Sequence, residues 1–329
     1  MSLQGKQRPL PTAVEVEEGH LPVMVEEVLE SLAPAPGSLH IDATVGGGGH
    51  SLRVLEANSP DGRLLGLDAD QAAIARTAAR LARFGDRVTL RQQNFEDLAV
   101  AASESGFVPA DGILFDLGLS SNQLADDTRA FSFRADGPLD MRFDTSRGVP
   151  ASVLIAELDE QGLTTLFRHY GEEPHARRIA RAIVAARARE PIETGTQLAD
   201  VVAQAAPAPP RGRRRVHPAT RVFQALRICV NRELETLPRA LEAAVDVLGE
   251  GGRLAVISYH SLEDRIVKRF MAAERRGCTC PPELPVCICG RQPRLALVGL
   301  QPRRPTDQEI DRNPRSRSAL LRSARRLAA

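Results

Sequence analysis

Four consecutive glycines, Gly46 to Gly49, follow an apolar stretch that begins at Leu39, and they lead into Ser51-Leu-Arg-Val-Leu-Glu-Ala57. Glycine lets a backbone turn at positive φ and lets a ligand lie against the main chain. The amides at the start of a following helix then point at whatever sits there. A strand, a tight loop and a helix in that order suit a nucleotide-like cofactor. A glycine-rich turn without a ligand has the same look, and Gly46-x-Gly48-x-x-Ser51 lacks the third glycine of the dinucleotide fingerprint. Acids at the ends of two further apolar runs narrow the choice. Arg63-Leu-Leu-Gly-Leu-Asp68 ends in a carboxylate about 20 residues beyond the loop, where such folds hold a ribose hydroxyl. Asp68 could instead cap a helix over Gln71–Leu81, but Asp70 is the better cap and leaves Asp68 for the sugar. Gly112-Ile-Leu-Phe-Asp116 ends in a second carboxylate and runs into Leu117-Gly-Leu-Ser-Ser-Asn-Gln123. That polar cluster reads either as a place for chemistry or as a capped turn. On the first reading Asp116, Ser120 and Ser121 are the candidate catalytic groups.

The elements that must position these groups are short apolar strands alternating with helices. Val88-Thr-Leu-Arg91 is another such strand and leads to Asn94-Phe95. The alternation implies an α/β fold with a parallel, doubly wound sheet. Ligands of such sheets sit at the carboxyl ends of the strands, and Gly46 to Gly49, Asp68, Phe95 and Asp116 all lie at those ends. Phe95 reads equally as a wall for an adenine and as a core residue. Pro22 to Leu32 reads as a helix ahead of the first strand. From Asp126 to Arg221 the rhythm lapses into helices, at 152–158, 161–170, 175–189 and 196–204, which suggests an inserted helical domain. A helical stretch from Val222 to Leu248, interrupted near Pro238, returns the chain to the sheet. A fifth strand follows over Arg253–His260. Ser261 to Phe270 is a helix with acids early and bases late, matching the helix dipole. Arg294–Leu300 and Ser318–Leu327 supply two more strands, seven in all. The expected division is a disordered lead over 1–19, a sheet domain in two parts over 20–125 and 222–329, and the insertion over 126–221 between them.

Bulk properties bound the function. With 329 residues and 43% hydrophobic content the chain can bury a core, while a net charge of +1 leaves no global basic field. Any nucleic-acid contact must therefore come from local patches. Arg211, Arg213, Arg214 and Arg215 form one such patch at the border of the insertion, suited to phosphates or simply to solvent. No run of 18 apolar residues exists, so nothing spans a membrane. Five cysteines, four of them within Cys278–Cys289, suit a reducing cytoplasm better than a disulfide framework. Cys278, Cys280, Cys287 and Cys289 could ligate zinc, although one residue within each pair is tighter than the usual spacing; a reduced loop is the equal alternative.

Several longer stretches carry a resemblance. They are His20-Leu-Pro-Val-Met24, Asp42-Ala-Thr-Val-Gly-Gly-Gly-Gly-His-Ser51, Asp116-Leu-Gly-Leu-Ser-Ser-Asn-Gln123, Phe131-Ser-Phe133 and Gly137-Pro-Leu-Asp-Met-Arg142. Gly171-Glu-Glu173, Phe223-Gln-Ala-Leu-Arg-Ile228, Val230-Asn-Arg-Glu-Leu234, Ile257-Ser-Tyr-His-Ser-Leu-Glu-Asp-Arg265 and Asn313-Pro-Arg-Ser-Arg-Ser318 complete them. Together they span most of 20–322, and the chain resembles the bacterial small-subunit ribosomal RNA methyltransferase H family (MraW type), the cytosine-N4 methyltransferases of 16S rRNA. Two departures stand out: Ala130 where the family usually has glycine, and Leu320 where a basic residue is common.

The resemblance implies a class I, Rossmann-like seven-stranded methyltransferase sheet with an inserted all-helical domain. It implies S-adenosylmethionine as cofactor and methylation of N4 of a cytidine in the decoding region, within the small ribosomal subunit. Its cofactor contacts fall on Gly48, Gly49, His50, Asp68, Phe95, Asp116 and Gln123. Asp68 would accept both ribose hydroxyls, and the glycine loop would admit the amino-acid tail. Cytosine N4 is a weak nucleophile that needs acceptors to orient it rather than a strong base; Asp116, a nearby backbone carbonyl, Ser120 or Ser121 could serve. The base must be unpaired or extruded to reach the methyl group. Candidate RNA contacts are the insertion, the Arg211–Arg215 loop, His260, and Arg315 and Arg317 in the tail that ends at Arg322. His260 reads as readily as a structural histidine, and Glu263 and Asp264 as helix-start acids. Zinc is not required by the resemblance, no obligate protein partner is evident, and a homodimer is left open. Two other readings are a nicotinamide-dependent dehydrogenase and a ribosome-assembly RNA-binding factor with a residual cofactor pocket.

Overall fold

Successive residues of a strand point to opposite faces of a sheet, and here both faces are apolar. Leu65, Leu67, Ile113, Phe115, Leu254 and Val256 pack into one buried cluster, while Leu64, Leu114, Ala255 and Ile257 pack into another. A sheet buried on both sides needs a layer of helices on each, which is why its strands read as continuous apolar runs. The computed structural model describes residues 22–207, 217–278, 280, 281, 286 and 288–328. The expected lead over 1–19 lies outside them.

The strands are β1 (Leu39–Asp42), β2 (Arg63–Asp68), β3 (Val88–Gln92), β4 (Ala110–Asp116), β5 (Leu248–Ser258), β6 (Leu295–Leu297) and β7 (Leu320–Arg326). They form one seven-stranded sheet in the order β3-β2-β1-β4-β5-β7-β6. The first five are parallel, whereas β7 runs antiparallel to both β5 and β6. The helix Ser261–Arg276 carries the chain from β5 to β6 and leaves a strand-wide gap between them. The chain that fills the gap returns in the opposite direction, so the sheet is mixed. Leu320 begins β7 opposite Ser258, so it takes part in the β5–β7 ladder.

Helices Val25–Leu32 and Gly49–Ala57 cover one face through Val28, Leu32, Val54 and Leu55. Helices Leu98–Glu104, Glu233–Val247 and Ser261–Arg276 cover the other through Leu98, Leu237, Leu241, Val267 and Met271. A third buried cluster lies apart from the sheet. It runs from Ala130 to Val230 and gathers Phe131, Ile155, Leu163, Phe167, Ile179, Leu198, Phe223 and Leu226. The boundary expected at 221 falls inside the helix Ala219–Asn231, whose apolar side belongs to this cluster. The break expected near Pro238 lies instead at Arg232, which has a φ of 53°, and Pro238 sits inside the next helix. Ala130 has a φ of 48° and is fully buried. That is a backbone region glycine enters freely and alanine does not.

Candidate active site at the strand tips

The β1 tip and the glycine loop are held by the β2 tip. Gly46 turns at a φ of 52° and its N–H donates to Asp68 Oδ2 at 2.9 Å. Asp70 N–H donates to Asp68 Oδ1, also at 2.9 Å. Asp68 is thereby fixed by two backbone donors, one per oxygen. Burial outweighs those donors and pushes its pKa up to about 6. Asp70, as the sequence suggests, is the helix cap and accepts from Ala72 N–H. Gly46, Gly47 and Gly49 line a cavity of about 420 Å³, together with His50, Asp68, Phe95, Asp116, Ser120, Ser121 and Gln123. Gly48 does not line it. A Cβ there would lie 3.0 Å from Thr77 Cγ2, so its φ of 74° and its close approach to the helix Gln71–Leu81 account for the glycine. Gly49 likewise needs its smallness against Pro22.

At the β4 tip Asp116 sits among groups from three other elements. Its backbone N–H donates to Thr44 Oγ1 at 2.6 Å, Tyr259 O–H donates to Oδ1 at 2.8 Å, and His50 Nε2 lies 3.6 Å from Oδ2. Burial opposes a charge on His50, but Asp116 and Asp42 overcome it and hold its pKa above the ordinary histidine value. Both ring nitrogens of His50 are buried without a hydrogen bond among the described residues. Burial, and the carboxylate beside it, push the Tyr259 phenol well above its usual range, so it stays a donor. Asp42, at the β1 tip, is buried and accepts from Ser51 Oγ at 2.6 Å. Ser51 occupies the place of the missing third glycine and is used inside the protein.

The polar cluster after β4 is a capped turn. Ser120 Oγ accepts from Gln123 N–H, and Gln123 Oε1 accepts from Ser120 N–H, a capping box that starts the helix Ser121–Ala125. Gln123 Nε2 donates to Asp70 Oδ2 at 3.2 Å. Ser120 is therefore committed to the cap and Gln123 to the loop, although both line the cavity. Arg129 joins the same point from the helical insertion, with Nη2 at 2.9 Å from Asp70 Oδ2 and Nε at 2.9 Å from Asp126. Phe95 forms a side of the cavity, edge-on to Phe115 at 6.0 Å.

The opposite wall was legible in the sequence only at His260, a candidate RNA contact, and at Glu263, a helix-start acid. Arg227 Nε and Nη2 donate to the two oxygens of Glu233 at 2.8 and 2.9 Å, and Nη2 lies 3.9 Å from Glu263. His260 caps the helix Ser261–Arg276 through Nδ1, which places its ring proton on Nε2, 3.0 Å from Glu263 Oε1. Burial raises the proton affinity of Glu263, but His260 and Arg227 hold its pKa below the ordinary glutamate value. His260 is thus a structural cap that also faces the cavity. Phe143, Thr220 and Arg227, from the insertion, and Tyr259 complete this wall. Their signal in the sequence was Phe223 to Leu234 and Ile257 to Arg265 standing as unusual stretches, in which only His260 had a candidate role.

Arg315 lines the cavity, while Arg317 is exposed beside it. Arg322, expected in the basic tail, is buried and paired with Asp264 at 2.8 and 3.1 Å, so it holds the fold. Arg211, Arg213, Arg214 and Arg215 lie outside the described residues, as does Cys287. Cys278, Cys280 and Cys289 lie together, far along the chain from the strand tips.

The model of the MraW methylase family matches residues 17–327. A curated relative from Thermomicrobium roseum, Ribosomal RNA small subunit methyltransferase H, is 57% identical over 309 residues, covering 94% of each chain. One of the same name from Symbiobacterium thermophilum is 51% identical, covering 94% of this chain and 97% of that one. Among solved structures, a putative methyltransferase from Streptococcus mutans in complex with SAH is similar with a TM-score of 0.44 at 12% identity, covering 94% of this chain and 100% of that one. Among the described residues no helix is long and apolar enough to cross a membrane.

Proposed function

The chain belongs to the MraW methylase family, and from that premise we propose that it transfers a methyl group from S-adenosylmethionine to N4 of a cytidine in the decoding region of 16S rRNA. The observation that carries the reading is the meeting of Gly46, Asp68 and Asp116 in one cavity whose far wall is shared by the helical insertion and the β5 tip.

The residues present fit the cofactor. Each Asp68 oxygen accepts one backbone N–H and retains a lone pair for a ribose hydroxyl. Gly46 and Gly47 have no side chains to hold the amino-acid tail away. His50 is a buried polar ring beside Asp116 at the same place, and its Nδ1 has no hydrogen bond among the described residues. S-Adenosylmethionine supplies a methyl group activated by a sulfonium centre.

The rest is positioning by the protein. Tyr259 O–H donates to Asp116 Oδ1 and His50 Nε2 lies 3.6 Å from Oδ2, so an N–H of the target amine would use a remaining lone pair of this carboxylate. Orienting the amine in this way turns the nitrogen lone pair toward the methyl group and stabilises the positive charge that develops on nitrogen. The proton released afterwards has the Asp116 carboxylate beside it. Arg227, fixed by Glu233, offers donors for the O2 and N3 acceptors of the base. Arg315, Arg317 and the Arg211–Arg215 segment would take phosphates around an extruded nucleotide. A dehydrogenase is less well served, because Ser51 takes the place of the third glycine and is bound to Asp42.

Small subunits lacking the modification, incubated with the enzyme and labelled cofactor, test the reading. A single methyl on cytidine N4, identified by nucleoside mass spectrometry, is the expected result. Methyl on another base overturns the target, and binding without methyl transfer points to an assembly factor instead.

A further inference from the structure

Between the helix Ser261–Arg276 and β6 the chain makes an excursion with a closed neck. Arg294 N–H donates to Glu274 O at 2.9 Å, and the Arg294 side chain reaches Glu274 and Asp246. A Cβ on Gly277, where the chain departs, would lie 2.4 Å from the backbone at Gln292 and Pro293, where it returns. Beyond the neck the described apolar side chains face outward: Val286 is 70% exposed and Ile288 is 78% exposed. Among the described residues, then, no apolar burial holds this segment together.

Three thiols stand where a core would be. The sulfurs of Cys278, Cys280 and Cys289 all lie within 4.8 Å of one another. Cys278 Sγ and Cys289 Sγ are 3.8 Å apart. Tetrahedral zinc with Zn–S bonds of about 2.3 Å places its sulfurs about 3.8 Å apart, whereas a disulfide needs about 2.05 Å. Ile288 N–H donates to Cys280 Sγ at 3.4 Å, an outer-shell hydrogen bond of the kind that stabilises a metal-bound thiolate.

The geometry points to a structural zinc site for which Cys278, Cys280 and Cys289 supply three of the four tetrahedral ligands, clipping the excursion shut independently of methyl transfer. Sulfur donors select zinc over hard cations such as magnesium or calcium. Binding converts three thiols to thiolates and releases three protons, with no change of oxidation state.

Untagged protein purified under reducing conditions and without chelator is assayed for zinc by mass spectrometry, alongside a Cys278→Ser/Cys289→Ser double variant. Cobalt substitution supplies the second readout, because thiolate–cobalt charge-transfer bands report sulfur ligation directly. The proposal predicts at least about half an equivalent of zinc per chain, falling below about a tenth in the variant, with the cobalt bands lost and S-adenosylhomocysteine affinity retained. Any other metal content, cobalt bands that survive in the variant, or a disulfide in place of metal overturns it. Because cofactor binding is read separately, failure here leaves the strand-tip site untouched.

Discussion

Replacing Asp68 by asparagine is the sharpest test of the cofactor site, because the change is isosteric and two backbone bonds report on it. Asp68 accepts from Gly46 N–H and from Asp70 N–H, each at 2.9 Å. Asparagine has one oxygen, so one of those amides loses its acceptor and meets an NH2 group instead. The same loss falls on one of the two ribose hydroxyls. Hydrogen bonds to a charged acceptor are each worth about 1.5–3 kcal/mol, so the variant should bind more weakly by about 2–4 kcal/mol, roughly 30- to 1000-fold. The pH dependence adds a signature. Burial lifts the Asp68 pKa from 3.8 to about 6, so the folded protein binds a proton here over a range in which the unfolded chain has lost it. As pH rises through that range, ionising Asp68 lowers stability. Cofactor binding needs the ionised form and runs the other way, weakening by about tenfold per pH unit below about 6. Calorimetric titration with S-adenosylhomocysteine near neutral pH and near pH 5 separates the cases. Wild-type affinity should fall on acidification while the variant stays flat. A variant within about threefold of wild type, or a wild type indifferent to pH, would refute the ribose role.

Three further outcomes follow from the same geometry. Asp116→Asn should lower the methylation rate by about a hundredfold or more while S-adenosylhomocysteine affinity changes by less than about threefold; near-normal turnover removes Asp116 as the amine acceptor. Arg129→Met leaves Asp70 and Asp126 buried or half-buried without their partner, and should cost about 3–5 kcal/mol in chemical denaturation, where a loss below about 1 kcal/mol would show that the junction is not what holds the insertion. Replacing Arg213, Arg214 and Arg215 together with alanine should flatten the salt dependence of RNA binding by about two units of slope, and an unchanged slope assigns the phosphate contacts elsewhere.

Much of the fold was legible because strand and helix periods differ and because strand tips carry their own punctuation. The β1 to β4 boundaries follow apolar runs closed by Asp42, Asp68, Arg91-Gln92 and Asp116. What escaped were properties set by neighbours remote in sequence. Gly48 and Gly46 look alike in the chain, yet Thr77 lies against one and the cavity against the other. Arg322 looks like part of a basic tail until Asp264 is seen beside it. The helix break falls at Arg232, where a positive φ ends one helix, while Pro238 is accommodated inside the next. Tyr259 stands inside an unusual stretch, but its role does not show there, because its partner Asp116 is 143 positions away.

The helical insertion is tied to the chemistry through Asp70 rather than merely attached to the sheet. One carboxylate caps the helix after β2 with Oδ1 and receives Gln123 and Arg129 on Oδ2. The backbone N–H of the same residue holds Asp68 Oδ1. A displacement of Arg129 therefore alters the residue that positions Asp68, the proposed ribose acceptor, and the capping box at Ser120 shifts with Gln123. At the other end of the insertion Asn231 accepts from Phe143 N–H and donates to Met141 O, which fixes Phe143 against the cavity beside Arg227. Both ends of the insertion thus terminate on groups that line or brace one pocket. In a packed interior such contacts have discrete arrangements rather than a continuum. Seating of the insertion and the shape of the glycine loop are consequently one condition, so on the proposed reading a substrate that seats the insertion would also shape the site.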